Sequence, residues 1–173
     1  MELKDLKDTI RNIPDFPQKG ILFRDITTLL KDADAYHELI ERIVKSLDGI
    51  QVDLVVGPEA RGFVIGSALA YALRAGFVLA RKPGKLPCKT NRYEYGLEYG
   101  SDVLEIHADA ILPGQKVVFV DDLLATGGTA LATIRLVEQA GGEVVAARFA
   151  IELSDLNGRE VLQGYNIDTV VMF

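Results

Sequence analysis

Residues 117–129 read Val117-Val118-Phe119-Val120-Asp121-Asp122-Leu123-Leu124-Ala125-Thr126-Gly127-Gly128-Thr129. The four apolar residues at the start are typical of a buried strand. Two carboxylates follow, and the glycine-rich turn then leads into a helical pattern that begins at Thr129. A strand that passes through such a turn into a helix is the repeating unit of an α/β fold.

The same alternation extends along the chain in both directions. Further strands are predicted at Asp53–Val56, Phe77–Ala80, Val144–Ala150 and Thr169–Phe173, and helices at Tyr36–Leu47, Gly62–Arg74 and Thr129–Ala140. Alternating strands and helices indicate a mainly parallel, twisted sheet flanked by helices. No linker or repeat divides the chain, so residues 1–173 are predicted to form a single domain.

Two segments interrupt this rhythm. The first is residues 15–28, and the second is residues 82–100, which contain Pro83, Gly84, Pro87, Gly96 and Gly100. A loop as long as the second is usually functional or disordered. A short antiparallel strand is predicted to return from it at Val103–Ile106.

The composition excludes several classes of partner. The chain has 19 Lys and Arg against 25 Asp and Glu, a formal net charge of −6, so no global field attracts nucleic acid or an acidic membrane. No apolar run approaches the ~20 residues of a membrane span, and the N-terminus lacks a signal core. Cys88 is the single cysteine, which fits a reducing cytoplasm.

The turn at residues 125–129 has the chemistry of a phosphate site. Gly127 and Gly128 allow the backbone to approach an anion, Thr126 and Thr129 can donate hydroxyl hydrogen bonds, and a helix start offers free N–H groups. The carboxylates can accept hydrogen bonds from sugar hydroxyls. Taken alone, the Asp pair fits equally well a phosphate-receiver domain or a two-metal site, and the turn fits a capped helix. P-loop and dinucleotide-binding motifs are absent from the sequence.

The whole stretch resembles the phosphoribosyl pyrophosphate motif of the type I phosphoribosyltransferases: four apolar residues, two acidic residues, and a Thr-Gly-Gly-Thr turn. The resemblance implies that Asp121 and Asp122 hold the ribose hydroxyls. It also implies that the 5-phosphate is wrapped by Ala125, Thr126, Gly127, Gly128 and Thr129.

A second strand-turn-helix, Gly57-Pro58-Glu59-Ala60-Arg61-Gly62-Phe63, offers another anion site. Without the first motif, an ordinary turn with a surface Arg is the better interpretation. The family's pyrophosphate loop has this form, however, and in adenine-specific members it resembles Gly-x-x-x-Arg-Gly-Phe. Glu59, Ala60 and Arg61 are therefore expected to bind pyrophosphate, with a cis peptide bond near Glu59 and Ala60.

The segment Arg81-Lys82-Pro83-Gly84-Lys85 places three cations after a predicted strand. Such a run is usually a solvated loop. It resembles the basic stretch Arg-Lys-x-Gly-Lys of the adenine-specific members, which approaches pyrophosphate and whose first Arg can reach the neighbouring subunit's site. The resemblance implies that Arg81, Lys82 and Lys85 contact pyrophosphate and that the chain forms a homodimer.

Residues 15–27 resemble the small N-terminal hood, here within residues 1–30, of the adenine-specific members. Phe23 is expected to stack on the purine, the backbone at Leu22 to meet the base edge, and Arg24 to lie at the same site. The alternative is that Phe23 is a core residue of an N-terminal lobe and Arg24 a surface ion-pair residue.

Residues 93–100 resemble the family's flexible catalytic lid, assigned here to residues 82–100. A lid excludes water from the oxocarbenium-like centre that forms at the ribose C1. Glu98 is expected to exchange a proton on the N7 side of the purine and Tyr99 to cover the ribose. Glu98 as a plain exposed carboxylate is the alternative.

The resemblance therefore implies transfer of the 5-phosphoribosyl group from phosphoribosyl pyrophosphate to adenine, giving AMP and pyrophosphate. Mg²⁺ is the implied cofactor, held mainly by substrate without direct protein ligands. A guanine/hypoxanthine, xanthine or orotate enzyme shares the phosphate motif, but residues 15–27 argue against it. Two other functions are disfavoured. A regulator that binds phosphoribosyl pyrophosphate and acts on nucleic acid would need a DNA-reading element or a basic face, which this acidic chain lacks. A phosphoribosyl pyrophosphate synthase would be about twice as long.

Overall fold

The computed structural model describes residues 3–96 and 101–173, with side chains from Leu6 onward. In chain order the elements are α1 (Leu3–Thr9), β1 (Arg11–Pro14), β2 (Leu22–Asp25), α2 (Thr27–Lys31), α3 (Ala33–Lys45), β3 (Leu54–Pro58), α4 (Arg61–Leu73), β4 (Gly76–Ala80), β5 (Thr90–Gly96), β6 (Ser101–His107), β7 (Lys116–Leu124), α5 (Gly128–Gln139), β8 (Glu143–Glu152), α6 (Gly158–Val161) and β9 (Ile167–Met172). A 3₁₀ turn at Ser154–Leu156 connects β8 to α6.

Five strands form the central parallel sheet, in the order β4-β3-β7-β8-β9. The chain moves outward from β3 to β4 and then returns to the other side of β3 with β7. This reversal leaves a crevice between the carboxyl ends of β3 and β7, which is where open α/β sheets bind ligands. The predicted parallel sheet flanked by helices is confirmed.

Apolar side chains cover both faces of the sheet. Val118 and Val120 of β7 point into the cluster that contains α3 and α4, whereas Phe119 points into the cluster that contains α5. Phe119 is fully buried and lies 5.5 Å, centroid to centroid, from the Phe149 ring of β8. Because β7 is buried on both faces, its residues form a continuous apolar run up to the acidic pair.

Two antiparallel strand pairs flank this sheet. β1 and β2 form the small N-terminal hood, and β5 pairs with β6 over residues 90–96 and 101–107. The strand predicted at Val103–Ile106 is confirmed, but its partner β5 lies within the segment that was predicted to be a loop. β5 shows strand alternation, since Tyr93 and Tyr95 are half-buried between exposed neighbours.

The predicted helices are present with shifted ends. α3 begins three residues before the predicted Tyr36, because the Asp32 side chain accepts hydrogen bonds from the N–H groups of Asp34 and Ala35 at 3.1 and 3.0 Å. Among the described residues, no helix combines the length and the apolar character that crossing a membrane requires.

Candidate functional site

A cavity of about 400 Å³ lies at the crevice between β3 and β7. It is lined by Glu59, Ala60 and Arg61 after β3, and by residues 121–130 at the end of β7 and the start of α5. The structure therefore brings together the acidic pair, the glycine-rich turn and the second turn, which the sequence placed about 60 residues apart.

The acidic pair forms one wall of this cavity. Asp122 is buried and its Oδ2 lies 2.5 Å from Nε of Arg61, whose side chain is nearly half exposed. Asp121 Oδ1 accepts a hydrogen bond from the backbone N–H of Asp122 at 2.8 Å. Burial, reinforced by the neighbouring Asp122 carboxylate, raises the pKa of Asp121 well above its ordinary value. Protonation of Asp121 is therefore easier than protonation of a free carboxylate.

The glycine-rich turn presents backbone N–H groups to the cavity. Gly127 has φ = 85° and precedes the first residue of α5, and among the described residues no side chain caps that helix start. The first N–H groups of α5 are therefore available to an anion. Thr126 and Thr129 are exposed on either side of Gly127 and Gly128.

The second turn supplies the opposite wall. The Glu59–Ala60 peptide bond is cis, as the family resemblance implied, and α4 begins directly after it at Arg61. Gly62 packs against the acidic pair, because a Cβ there would come within 2.9 Å of Asp121 Oδ1. Among the described residues, no side chain caps the start of α4 either.

Glu59 joins this wall to the basic segment. Its carboxylate accepts hydrogen bonds from the Lys82 backbone N–H at 2.6 Å and from Arg81 Nη2 at 3.3 Å. Although burial disfavours the charged form, these hydrogen bonds hold the pKa of Glu59 below its ordinary value. Glu59 is therefore a charged anchor for the segment that follows β4.

The basic segment lies beside the cavity. The described residues that line the cavity do not include Arg81, Lys82 or Lys85. Lys82 Nζ pairs with the Asp102 carboxylate, and Lys85 is exposed. In this conformation the basic segment is connected to the cavity wall through Glu59, and its three cationic side chains lie outside the lining of the cavity.

The hood borders the same crevice through Phe23. This half-buried ring makes an edge contact with Phe16 at 5.1 Å, and the guanidinium of Arg61 lies 5.6 Å from the Phe23 centroid. Leu22 is exposed at the start of the same strand. Arg24 takes a different direction, since its guanidinium lies 3.9 Å from the Phe173 ring and donates to Asn12. Phe23 and Arg24 therefore project to opposite sides of β2.

Glu98 and Tyr99, the predicted catalytic pair, lie outside the described residues. The preceding strand does reach the glycine-rich turn, because the Tyr95 hydroxyl lies 3.4 Å from Thr129 Oγ1 and 3.3 Å from Asp102 Oδ2. The position of Tyr95 and Asp102 beside the glycine-rich turn was not predicted from the sequence. The alternation of residues 92–95 was the available signal, and the surrounding glycines and prolines obscured it.

The chain was compared with known proteins. Residues 25–161 match the phosphoribosyl transferase domain family. The adenine phosphoribosyltransferase of Thermotoga neapolitana is 60% identical, over 98% of this chain and 99% of the relative. The crystal structure of adenine phosphoribosyltransferase from Thermoanaerobacter pseudethanolicus superposes with a TM-score of 0.97 at 56% identity, covering 99% of this chain and 100% of that one. The crystal structure of the Saccharomyces cerevisiae adenine phosphoribosyltransferase, complexed with adenine and an imino-altritol bisphosphate, superposes with a TM-score of 0.91 at 38% identity, and 97% of each chain is covered.

Proposed function

The chain belongs to the adenine phosphoribosyltransferases of the phosphoribosyl transferase family, and we infer that it transfers the 5-phosphoribosyl group of phosphoribosyl pyrophosphate to adenine. AMP and pyrophosphate are the products, so the reaction salvages the free base. The observation that carries this conclusion is the uncapped start of α5 directly beside the Asp121–Asp122 pair in one cavity.

The glycine-rich turn is the proposed 5-phosphate site. Backbone N–H groups at the start of α5 and the hydroxyls of Thr126 and Thr129 supply donors, and Ala125 begins the turn. A helix start of this kind favours a phosphate both by hydrogen bonding and by its dipole.

The acidic pair is the proposed ribose site. Asp121 and Asp122 line the same cavity as the turn, which supports binding of the sugar diol by their carboxylates. Arg61 compensates the charge of Asp122 and stands beside Glu59 and Ala60, where pyrophosphate is proposed to bind. A guanidinium can share its donors between a carboxylate and a phosphate.

The base is proposed to bind between Phe23 and the ribose site, with the Leu22 backbone at the base edge. Support comes from the position of Phe23 over Arg61 at the border of the crevice. Arg24, held against Phe173, would then support the hood instead of contacting the base. Proton exchange by Glu98 and coverage of the ribose by Tyr99 stay predictions from the sequence.

Mg²⁺ is the proposed cofactor. Among the described residues, no group of three or more His, Cys, Asp or Glu side chains is arranged to hold a metal. The carboxylates of the acidic pair, Asp121 and Asp122, fit an ion that takes most of its ligands from substrate oxygens. Bound with phosphoribosyl pyrophosphate, Mg²⁺ would neutralise charge on the leaving pyrophosphate.

A turnover assay tests the reaction and the base together. The chain is supplied with Mg²⁺ and phosphoribosyl pyrophosphate, and with adenine, guanine, hypoxanthine, xanthine or orotate in turn, while pyrophosphate release is measured. Adenine alone is expected to support release, with AMP as the second product. Release with another base at a comparable kcat/KM would contradict the proposed specificity, and no release with any base would contradict the proposed reaction.

We also propose a homodimer, in a cytoplasmic location, without nucleic-acid or membrane partners. Support for the dimer comes from exposed apolar side chains on α4 and β4. Tyr71 is 89% exposed on α4, two turns from the exposed Val64, and Leu79 is exposed on the edge strand β4.

Sedimentation velocity tests the dimer. The chain is expected to sediment at about twice its mass of 18.9 kDa, and Tyr71→Asp to shift it toward the monomer. Leu112→Asp is the control, since Leu112 is also exposed but lies between β6 and β7. A monomeric wild type, or equal effects of the two variants, would contradict this interface.

A further inference from the structure

Glu105 is a buried acid that the proposed reaction does not use. It lies on β6 and is 2% exposed, and the described residues that line the cavity do not include it. Its carboxylate accepts two hydrogen bonds. Oε1 accepts from Arg92 Nε at 2.5 Å, and Oε2 accepts from the Gly84 backbone N–H at 3.3 Å.

The second hydrogen bond fixes a tight turn. The Lys85 N–H donates to the Lys82 carbonyl at 3.3 Å, and Gly84 has φ = 76°. Pro83 and Gly84 are the residue types that a type II turn requires at its two central positions. Lys82 and Lys85 therefore stand at the two ends of one turn whose central N–H is bound by Glu105.

The backbone of Glu105 grips the same segment. Its N–H donates to the Arg81 carbonyl at 2.8 Å, and its carbonyl accepts from the Arg81 N–H at 2.9 Å. Glu59 holds the segment from the other side through the Lys82 N–H. The basic segment is thus fixed between a carboxylate at the end of β3 and another on β6.

The charge of Glu105 is compensated without the lysines, since Lys82 Nζ pairs with the Asp102 carboxylate and Lys85 is exposed. Arg92, whose side chain is 64% exposed, neutralises Glu105 from the outer side of the hairpin. With this partner in place, Glu105 can bind the Gly84 N–H without drawing in the ammonium groups of Lys82 or Lys85. A fixed backbone beneath two cations favours the binding of a polyanion, because preorganised donors lose less entropy on binding.

We propose that Glu105 is a positioning residue for pyrophosphate recognition. It fixes the 82–85 turn so that Lys82 and Lys85 can face the pyrophosphate group, and Arg92 completes the arrangement. The inference rests on the proposed function, because it assumes that these lysines meet the pyrophosphate of the substrate.

Glu105→Gln tests this role at almost unchanged volume. The amide has only one acceptor oxygen for the two donors that Glu105 now binds, so the turn loses a hydrogen bond. The KM for phosphoribosyl pyrophosphate and the Kd for pyrophosphate with Mg²⁺ are expected to rise roughly tenfold. The KM for adenine and the Kd for AMP, which carries no pyrophosphate, are expected to stay within about twofold.

The control variant is Glu143→Gln, which removes the carboxylate that pairs with Lys116 at the opposite end of the sheet. It is expected to leave both pyrophosphate and AMP binding unchanged. A parallel loss of AMP and pyrophosphate affinity in Glu105→Gln would show general damage to the fold and overturn the proposal. Unchanged pyrophosphate binding would overturn it as well.

Arg92→Gln provides a second variant at an exposed position, which keeps the proposal testable if Glu105→Gln does not fold. Its selective weakening of pyrophosphate binding is expected to be smaller, about threefold, because the Gly84 hydrogen bond remains. No effect on pyrophosphate binding would count against the proposal. Wild-type turnover with adenine tests the proposed function separately, so an active wild type with indifferent variants rejects only the role of Glu105.

Discussion

Gly127 shows how one residue shapes the proposed phosphate site. Its φ of 85° lies in the left-handed region, which a side chain disfavours. Space is also missing, because a Cβ at this position would come within 2.7 Å of the Gly158 carbonyl oxygen and 3.2 Å of Val161 Cβ. The turn needs glycine both for its backbone angle and for its contact with α6.

Gly127→Ala is therefore expected to destabilise the fold by about 2–3 kcal/mol and to raise the KM for phosphoribosyl pyrophosphate more than tenfold. The matched control is Gly114→Ala, since Gly114 has φ = 84° but, among the described residues, no atom within 4 Å of the added Cβ. The control is expected to lose only about 1 kcal/mol and no substrate affinity. Chemical denaturation and steady-state kinetics measure both effects, and equal losses in the two variants would show that the contact with α6 is unimportant.

Among the elements, the hood depends on Asp25 at the end of β2. Its Oδ1 accepts hydrogen bonds from the Thr27 hydroxyl and N–H at 2.7 and 2.9 Å, which joins the end of β2 to the first residue of α2. Its Oδ2 accepts from Arg11 of β1. One carboxylate thus joins both hood strands to α2.

These contacts, led by the Thr27 hydroxyl and followed by Arg11, lower the pKa of Asp25 from 3.8 to about 2. Because the folded-state pKa is depressed, the stabilisation is complete above about pH 5 and is lost as the pH falls from about 4 to 2. Asp25→Asn is expected to cost about 2 kcal/mol at pH 7 and about half of that at pH 3. Urea titrations at both pH values measure this, with the exposed Asp155→Asn as control. If Asp25→Asn lowered the free energy of unfolding equally at both pH values, the charge of Asp25 would contribute nothing to stability.

Elements with strong local signals could be predicted from the sequence. The strands of the central sheet are apolar runs bounded by turn residues, and each of the long helices α3, α4 and α5 is followed closely by a glycine, so local chemistry defined them. β5 could not be predicted, because its alternation is short, mostly polar and surrounded by glycine and proline. The hood strands are also short, and their pairing depends on contacts with the core.

At the scale of the whole molecule, the motifs predicted two anion-binding turns but not how the two turns meet. The strand order that brings residues 59–61 to residues 121–130 follows from long-range packing, which no local pattern encodes. The same limit applies to Glu105, whose partners Gly84 and Arg92 lie on other segments. The resemblance to a family supplied the site residues because it carries that long-range information.

Arg148 is a second long-range tie, in this case far from the cavity. This β8 residue is 3% exposed, and burial lowers its pKa. It donates to the Ser46 hydroxyl at 2.8 Å and the Ser46 carbonyl at 3.0 Å, at the end of α3, and to the Asn166 carbonyl at 2.9 Å, just before β9. The guanidinium thus binds partly buried acceptors on two segments, the end of α3 and the residue just before β9.

Arg148→Ala is expected to destabilise the fold by about 3 kcal/mol, because it removes the hydrogen bonds to Ser46 and Asn166 and opens a cavity. Arg148→Met keeps most of the volume and is expected to cost less, about 2 kcal/mol, since only the hydrogen bonds are lost. Both variants are expected to keep the wild-type KM values at a temperature where they are folded. Arg135→Met is the control, because its ion pair with Glu138 on the surface of α5 should matter little. Denaturation curves measure the free energy of unfolding of the three variants. If Arg148→Met were as stable as the wild type, the packing of this side chain alone would account for its contribution. The hydrogen bonds from Arg148 to the end of α3 and to the segment before β9 would then contribute nothing to stability.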